Sequence, residues 1–209
     1  MRARWTWKSG IQLTLALIFL GLGGDGVRSG LKQQEHYDSA LTAKPMEGAT
    51  DLSKPGELIF PFIQSYSRSH GEVVGLRVPP EVLEKTEAEE LIRGLKVRLV
   101  ITDKGGAVMQ ACEPDELMLE VFRDPQLIPL FRLNSFKKGS YQAKFIILEG
   151  VPALSGIPQQ MEARYLLCGC ERMAGQMVLG LGVVLALPGL FLGWWGLRGL
   201  FRRPPETGA

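Results

Sequence analysis

The residues of this chain best suited to chemistry are three cysteines and a few methionines: Cys112, Cys168, Cys170, Met109, Met173 and Met177. One glycine separates Cys168 from Cys170, and Met173 and Met177 follow closely. Thiolates and thioethers are soft ligands that select Cu(I). An exported Cys-Gly-Cys beside two methionines would suit copper transfer, with Cys168, Cys170, Met173 and Met177 as ligands and Met109 and Cys112 as neighbours. Thiol–disulfide exchange fits less well, because Cys-x-x-Cys spacing and a thioredoxin-like βαβ pattern are both missing. The plainer reading is structural and is the main expectation: no metal and no cofactor. Cys112, Cys168 and Cys170 are then disulfide candidates, and their odd number leaves one thiol over after a single intramolecular bridge.

No catalytic set is expected. The two histidines are His36, in a polar stretch, and His70, in a Ser-Arg-Ser-His-Gly turn. Serines next to a histidine on one turn do not make a nucleophile–base triad. The chain has no Gly-x-Ser-x-Gly, no His-Glu-x-x-His and no phosphate-binding glycine loop. The acids of residues 84–90 read as the solvated face of a short helix.

Positioning of any of these groups depends first on the membrane. Residues 177–201 form an apolar run with no charge from Met177 to Leu197, then Arg198, Arg202 and Arg203. That is enough for a helix to cross a hydrocarbon core of roughly 30 Å, and Trp194 and Trp195 suit the headgroup layer near its end. Gly182 and Ala186, then Gly189 and Gly193, stand four apart around a Pro188-Gly189 pair, the small-residue spacing that lets helices associate closely. With no polar residue between Met177 and Leu197, a transport path is not expected.

At the other end, a basic segment, 1–9, precedes an apolar run, 10–24, that matches either a signal anchor or a cleaved signal peptide. The chain is 209 residues long and has a net charge of +2, but residues 25–176 carry 18 basic and 21 acidic residues. Its excess positive charge therefore flanks the two apolar segments, which places both ends in the cytoplasm and 25–176 on the periplasmic or extracellular side. A mildly acidic middle with scattered basic residues excludes a nucleic-acid surface.

Residues 25–56 are polar and rich in Gly, Pro, Ser and Thr, and are expected as a flexible linker with at most a short helix near 31–41. Strands are expected at 57–66, 72–78, 95–102, 107–112, 116–123, 141–148 and 159–171, with a helix at 81–94. The firmest is 95–102, where Leu95, Val97, Leu99 and Ile101 share one face. About seven short strands predict a mainly β exported domain, 57–171, of antiparallel, immunoglobulin-like β-sandwich type. Gly139-x-Tyr141 resembles a tyrosine corner, though Ala143 stands where such a corner has Cys. A cytoplasmic tail, 202–209, follows the membrane helix. These features point to a membrane-anchored, non-catalytic binding or assembly module. Its expected partner is an integral membrane protein, or a second copy joined through the membrane helix.

Overall fold

The computed structural model describes residues 7–67, 69–114 and 126–201. It divides into a helical unit, Met1–Asp38 with Gly169–Ala209, and a second unit, Ser39–Cys168. Two long helices, α1 (Trp7–Thr42) and α4 (Gly169–Phe201), are each long and apolar enough to cross a membrane. Among the described residues of the helical unit, the buried positions are Ser9, Ala16, Gly23 and Gly30 on α1 and Gly175, Gly182, Gly189 and Gly196 on α4. Both sets repeat every seventh residue. That spacing, 3.5 residues per turn, keeps one seam facing its partner along a helix pair. A methyl group added at Gly23 would meet the Ala186 backbone at 2.6 Å, one at Gly30 the Leu179 backbone at 2.6 Å, and one at Gly182 the Val27 backbone at 2.4 Å. The two helices therefore pack antiparallel with their backbones in contact.

This seam explains why residues 25–42 are helical rather than linker. Their own apolar stripe is thin, but Gly26 and Gly30 contact Gly182 and Leu179, and Gln33 lies against Gly175. Helices gain most of their stability from such packing rather than from intrinsic propensity. For the same reason α4 begins at Gly169, before the apolar run at Met177, and it continues through Pro188.

Among its described residues the second unit holds eight strands: β1 (Met46–Thr50), β2 (Gly56–Gln64), β3 (Glu72–Arg77), β4 (Lys96–Thr102), β5 (Val108–Cys112), β6 (Leu127–Leu133), β7 (Gly139–Glu149) and β8 (Gln159–Tyr165). They form two four-stranded antiparallel sheets, ordered β1-β8-β3-β6 and β2-β7-β4-β5. Strand 1 thus pairs with 8, 2 with 7, 3 with 6 and 4 with 5. An eight-strand hairpin rolled so that alternate pairs fall in two sheets has jelly-roll connectivity. Immunoglobulin-type domains divide their strands as ABED and CFG instead, so the strand order departs from that expectation. Alternation along single strands cannot separate the two, since both bury every second residue.

Val97, Leu99 and Ile101 of β4, Ala143, Phe145 and Ile147 of β7, and Phe62 of β2 meet Val74, Leu76, Phe131, Leu133, Met161 and Ala163 of the other sheet in one core. The free edges are joined. Ile63 N donates to Pro45 O at 2.8 Å between β2 and the start of β1. On the opposite side, the Gln110 side chain accepts from Asn134 N at 2.9 Å and donates to Arg132 O at 3.2 Å, standing in for a peptide group between β5 and β6. Strands β1 and β6 were not expected: β1 has the unpatterned sequence MEGAT and is held by β8 alone within its sheet. The helix expected at 81–94 is broken into α2 (Pro80–Leu83) and α3 (Ala88–Leu91). The strand expected at 116–123 lies outside the described residues.

Candidate functional site

The chain enters the β unit through residues 43–45 and leaves it through 166–168, three residues on each side between strand and helix. Because β1 and β8 are antiparallel neighbours, with Met46 opposite Ala163, both connectors leave from the same end of the unit. The ends of β2, β4 and β6 and the starts of β3, β5 and β7 lie at that end too, as the strand registers require. Gln64, Ser69, Glu72 and Tyr165 make their hydrogen bonds there.

Glu72 opens β3 and is completely buried, opposite Leu133 on one side and Tyr165 on the other. Gly71 lets the turn deliver it. Gly71 has φ +115° and leaves no room for a side chain, since a methyl group there would lie 2.1 Å from Leu133 O. The Glu72 Oε1 atom accepts from Gln64 Nε2 at 2.7 Å and from Ser69 Oγ at 2.9 Å. Its Oε2 atom is buried with no partner, and so is Gln64 Oε1. Burial raises the Glu72 carboxyl to about 7 against the pull of those two hydrogen bonds. The turn around it is held by Tyr165, whose hydroxyl accepts from Ser65 N at 2.9 Å and Tyr66 N at 3.1 Å. Backbone bonds His70 N to Leu166 O and Leu166 N to Gly71 O, both 2.9 Å, extend the β3–β8 ladder into the outgoing connector. A His70 ring nitrogen consequently lies within 4.8 Å of Cys168 Sγ.

A second buried acid, Glu162 of β8, ties down the incoming connector. Its carboxylate receives Lys44 at 3.0 Å, Arg77 at 3.1 Å and Arg164. Burial would raise its pKa, but the bonds from Arg164 and Lys44 lead the opposing effects and hold it below the usual carboxylate range. Lys44 is raised, chiefly by its bond to Glu47 and then by Glu162. Neither acid announced itself in the sequence. Glu162 carries a faint signal, Glu-x-Arg, which puts Arg164 on its own face of a strand; Glu72 carries none.

The predicted site residues are dispersed. Cys112 pairs with Leu99 on the edge strand β5 and packs on the core. Burial pushes its thiol up to about 11, away from the thiolate that metal binding and nucleophilic attack need. Met109 is the extra residue of a bulge in β5 and is exposed. No disulfide joins Cys112, Cys168 and Cys170. Cys170, Met173 and Met177 lie along one exposed face of α4, but a rise of about 1.5 Å per residue separates the first and last by about 10 Å. One ion could take at most adjacent members of that row. Gly182, Ala186 and Gly189 pack against Val27, Gly23 and Leu20 of α1, and Gly193 faces Ala16. Within the chain that stripe is therefore occupied.

Tyr141 does act as the sequence resemblance suggested in one respect: its hydroxyl donates back to Lys137 O at 2.9 Å, pinning the turn before β7. Among the described residues of the β unit, this end offers a buried carboxyl, Glu72, and firmly held backbone.

No protein-family model matches the chain, and no curated protein matches it. Among solved structures, the crystal structure of a protein from Sulfurospirillum deleyianum is similar at 8% sequence identity, with a TM-score of 0.42 over 59% of this chain and 98% of that one. A likeness of that depth transfers no function.

Proposed function

We propose that this chain is a membrane-tethered, non-catalytic binding and assembly module. In this reading α1 is a retained signal anchor that forms a hairpin with α4, both chain ends lie in the cytoplasm, and the β unit is periplasmic or extracellular. The observation that carries the reading is the double tether. Two helices of membrane-spanning length each run to within three residues of the same end of the β unit. A three-residue connector reaches about 10 Å when extended, so the β unit is held on two short leashes rather than one. Such restraint limits its reach to partners in or beside the bilayer and keeps the entropic cost of meeting them low. An integral membrane protein is the favoured partner.

Retention of α1 is supported by its complementary seam. Ser9, Ala16, Gly23 and Gly30 match the glycines of α4 at the same seven-residue interval, and removal of α1 would expose a glycine groove along α4. Since the small residues of α4 are already covered within the chain, a second copy would have to use another face.

The test is a flexible twelve-residue Gly-Ser insertion between Leu167 and Cys168, matched by one between Ala43 and Lys44, in the full chain. Co-purification from native membranes should lose the partner while the fold and membrane insertion persist. Equal recovery of the partner with both leashes lengthened would sink the assembly reading.

A further inference from the structure

We propose that the outer face of the β2-β7-β4-β5 sheet, at the end where both connectors leave, docks on anionic phospholipid headgroups. This rests on the membrane-tether reading and adds the lipid itself as a partner. Strand alternation builds the face. Phe62 of β2 points into the core, so Ile59, Pro61 and Ile63 point out, paired with Lys144, Gln142 and Ser140 of β7. Ile59, Ile63 and, at the start of β5, Val108 are each more than half exposed. Among the described residues of the strands, the exposed large hydrophobic side chains are these three, Met109 and Leu148. Ile63, Val108 and Met109 sit at the connector end, Ile59 lies midway, and only Leu148 lies towards the other end.

The charges select the partner. The turns from β4 to β5 and from β6 to β7 expose Lys104, Lys137 and Lys138. The one acid of these two turns, Asp103, spends its Oδ1 on Gly105 N at 2.8 Å and Ala107 N at 2.9 Å. Lys104 lines an open groove of about 440 Å³ with Ile59, Pro61, Ser140, Tyr141 and Gln142. The Tyr141 hydroxyl donates to Lys137 O at 2.9 Å, which fixes the second lysine turn beside that groove. An ammonium, a hydroxyl and an amide next to apolar side chains match a phosphodiester and the glycerol and first acyl carbons below it. The opposite end of the unit has the other sign. There the connection from β3 to β4 exposes Glu81, Glu84, Glu87, Glu89 and Glu90 against Lys85 and Arg93. Both connectors to the apolar helices leave from the basic end, so on the membrane reading phospholipid is the densest anionic surface available to it. A lysine beside an anionic leaflet gains about a fivefold preference, and three together roughly a hundredfold.

The test uses the full chain, its native cysteines replaced, with an environment-sensitive fluorophore on Ala107→Cys, an exposed turn position. It is placed in nanodiscs of phosphatidylcholine alone, or of phosphatidylcholine with about one third phosphatidylglycerol. Emission should shift to the blue in the discs containing phosphatidylglycerol and stay unshifted in phosphatidylcholine. Salt at about 0.5 M, which shortens the Debye length to a few ångströms, should reverse the shift. Lys104→Gln, Lys137→Gln and Lys138→Gln together should abolish it, whereas Lys104→Arg, Lys137→Arg and Lys138→Arg should keep it. All three side chains are exposed, so neither variant disturbs the core. An equal blue shift in both discs, or one that survives salt and the glutamine variant, marks burial against protein or neutral lipid and overturns the proposal. A chain that enters both discs and shifts in neither overturns it too, while the membrane reading stands. A chain that enters neither disc fails both.

Discussion

Two buried glutamates pull the stability of the β unit in opposite directions as pH changes. Glu162 has a lowered pKa, so its contribution is present above the ordinary carboxylate pKa and is lost as pH falls through the lowered value. Glu72 is raised from 4.5 to about 7, so its contribution is full below about 4.5 and is lost as pH rises towards 7, a change worth roughly 3 kcal/mol. Chemical denaturation of the full chain should therefore show Glu72→Gln more stable than the native protein at pH 8 and nearly equal to it at pH 5. Glu162→Ala should do the reverse near neutrality. It strands Lys44, Arg77 and Arg164 without their shared counter-charge, at a cost of about 3 kcal/mol, the low end for a broken buried pair because the three cations keep contact with water. If the loss falls below about 0.5 kcal/mol, the cluster is only a surface network.

The register of the helix pair is specific enough to test. A Cβ built at Gly193 lies 3.6 Å from Ala16 Cβ, within the separation that a disulfide spans. With the native cysteines replaced, Ala16→Cys combined with Gly193→Cys should cross-link within one chain on mild oxidation, seen as a mobility shift reversed by reductant. The same experiment reports on α1, because a chain that has lost residues 10–24 cannot form the bond. Gly182→Leu should weaken the link by driving a side chain into Val27, whereas Gly180→Leu should not, since nothing lies within 4 Å of that position. Elements were legible where they carried their own periodicity. Strand β4 follows its alternation closely, with Val97, Leu99 and Ile101 buried. Strand β1 and the second half of α1 were not legible, because each is stabilised by a distant partner: β8 for the one, α4 for the other.

At the scale of the whole molecule, three-residue connectors join the β unit to a long apolar helix on each side. The charge pattern predicts that the β unit faces away from the cytoplasm. Protease added to intact spheroplasts should cut within the β unit's exposed turns, and the fragments should stay with the membrane through α1 and α4. Complete protection before lysis and digestion after it would reverse the orientation.

The sequence by itself determined the two apolar segments, the basic residues beside them, the mainly β character of the middle and the lack of a catalytic motif. Each of these is a local property, fixed by composition or by a period within a few residues. Tertiary structure alone decided the pairing of strand 1 with 8 and 2 with 7, the closed sheet edges, the small-residue seam and the burial of Glu72 and Glu162. These are contacts between residues far apart in the chain: Gln160 reaches Glu47 across 113 positions, and Tyr165 reaches Ser65 across 100. A strand's alternation states which face is buried, but not which neighbour covers it. The chemistry of this protein's polar groups depends on that neighbour, so the cysteines visible in the sequence proved dispersed, while two unremarked glutamates became fully buried carboxyls.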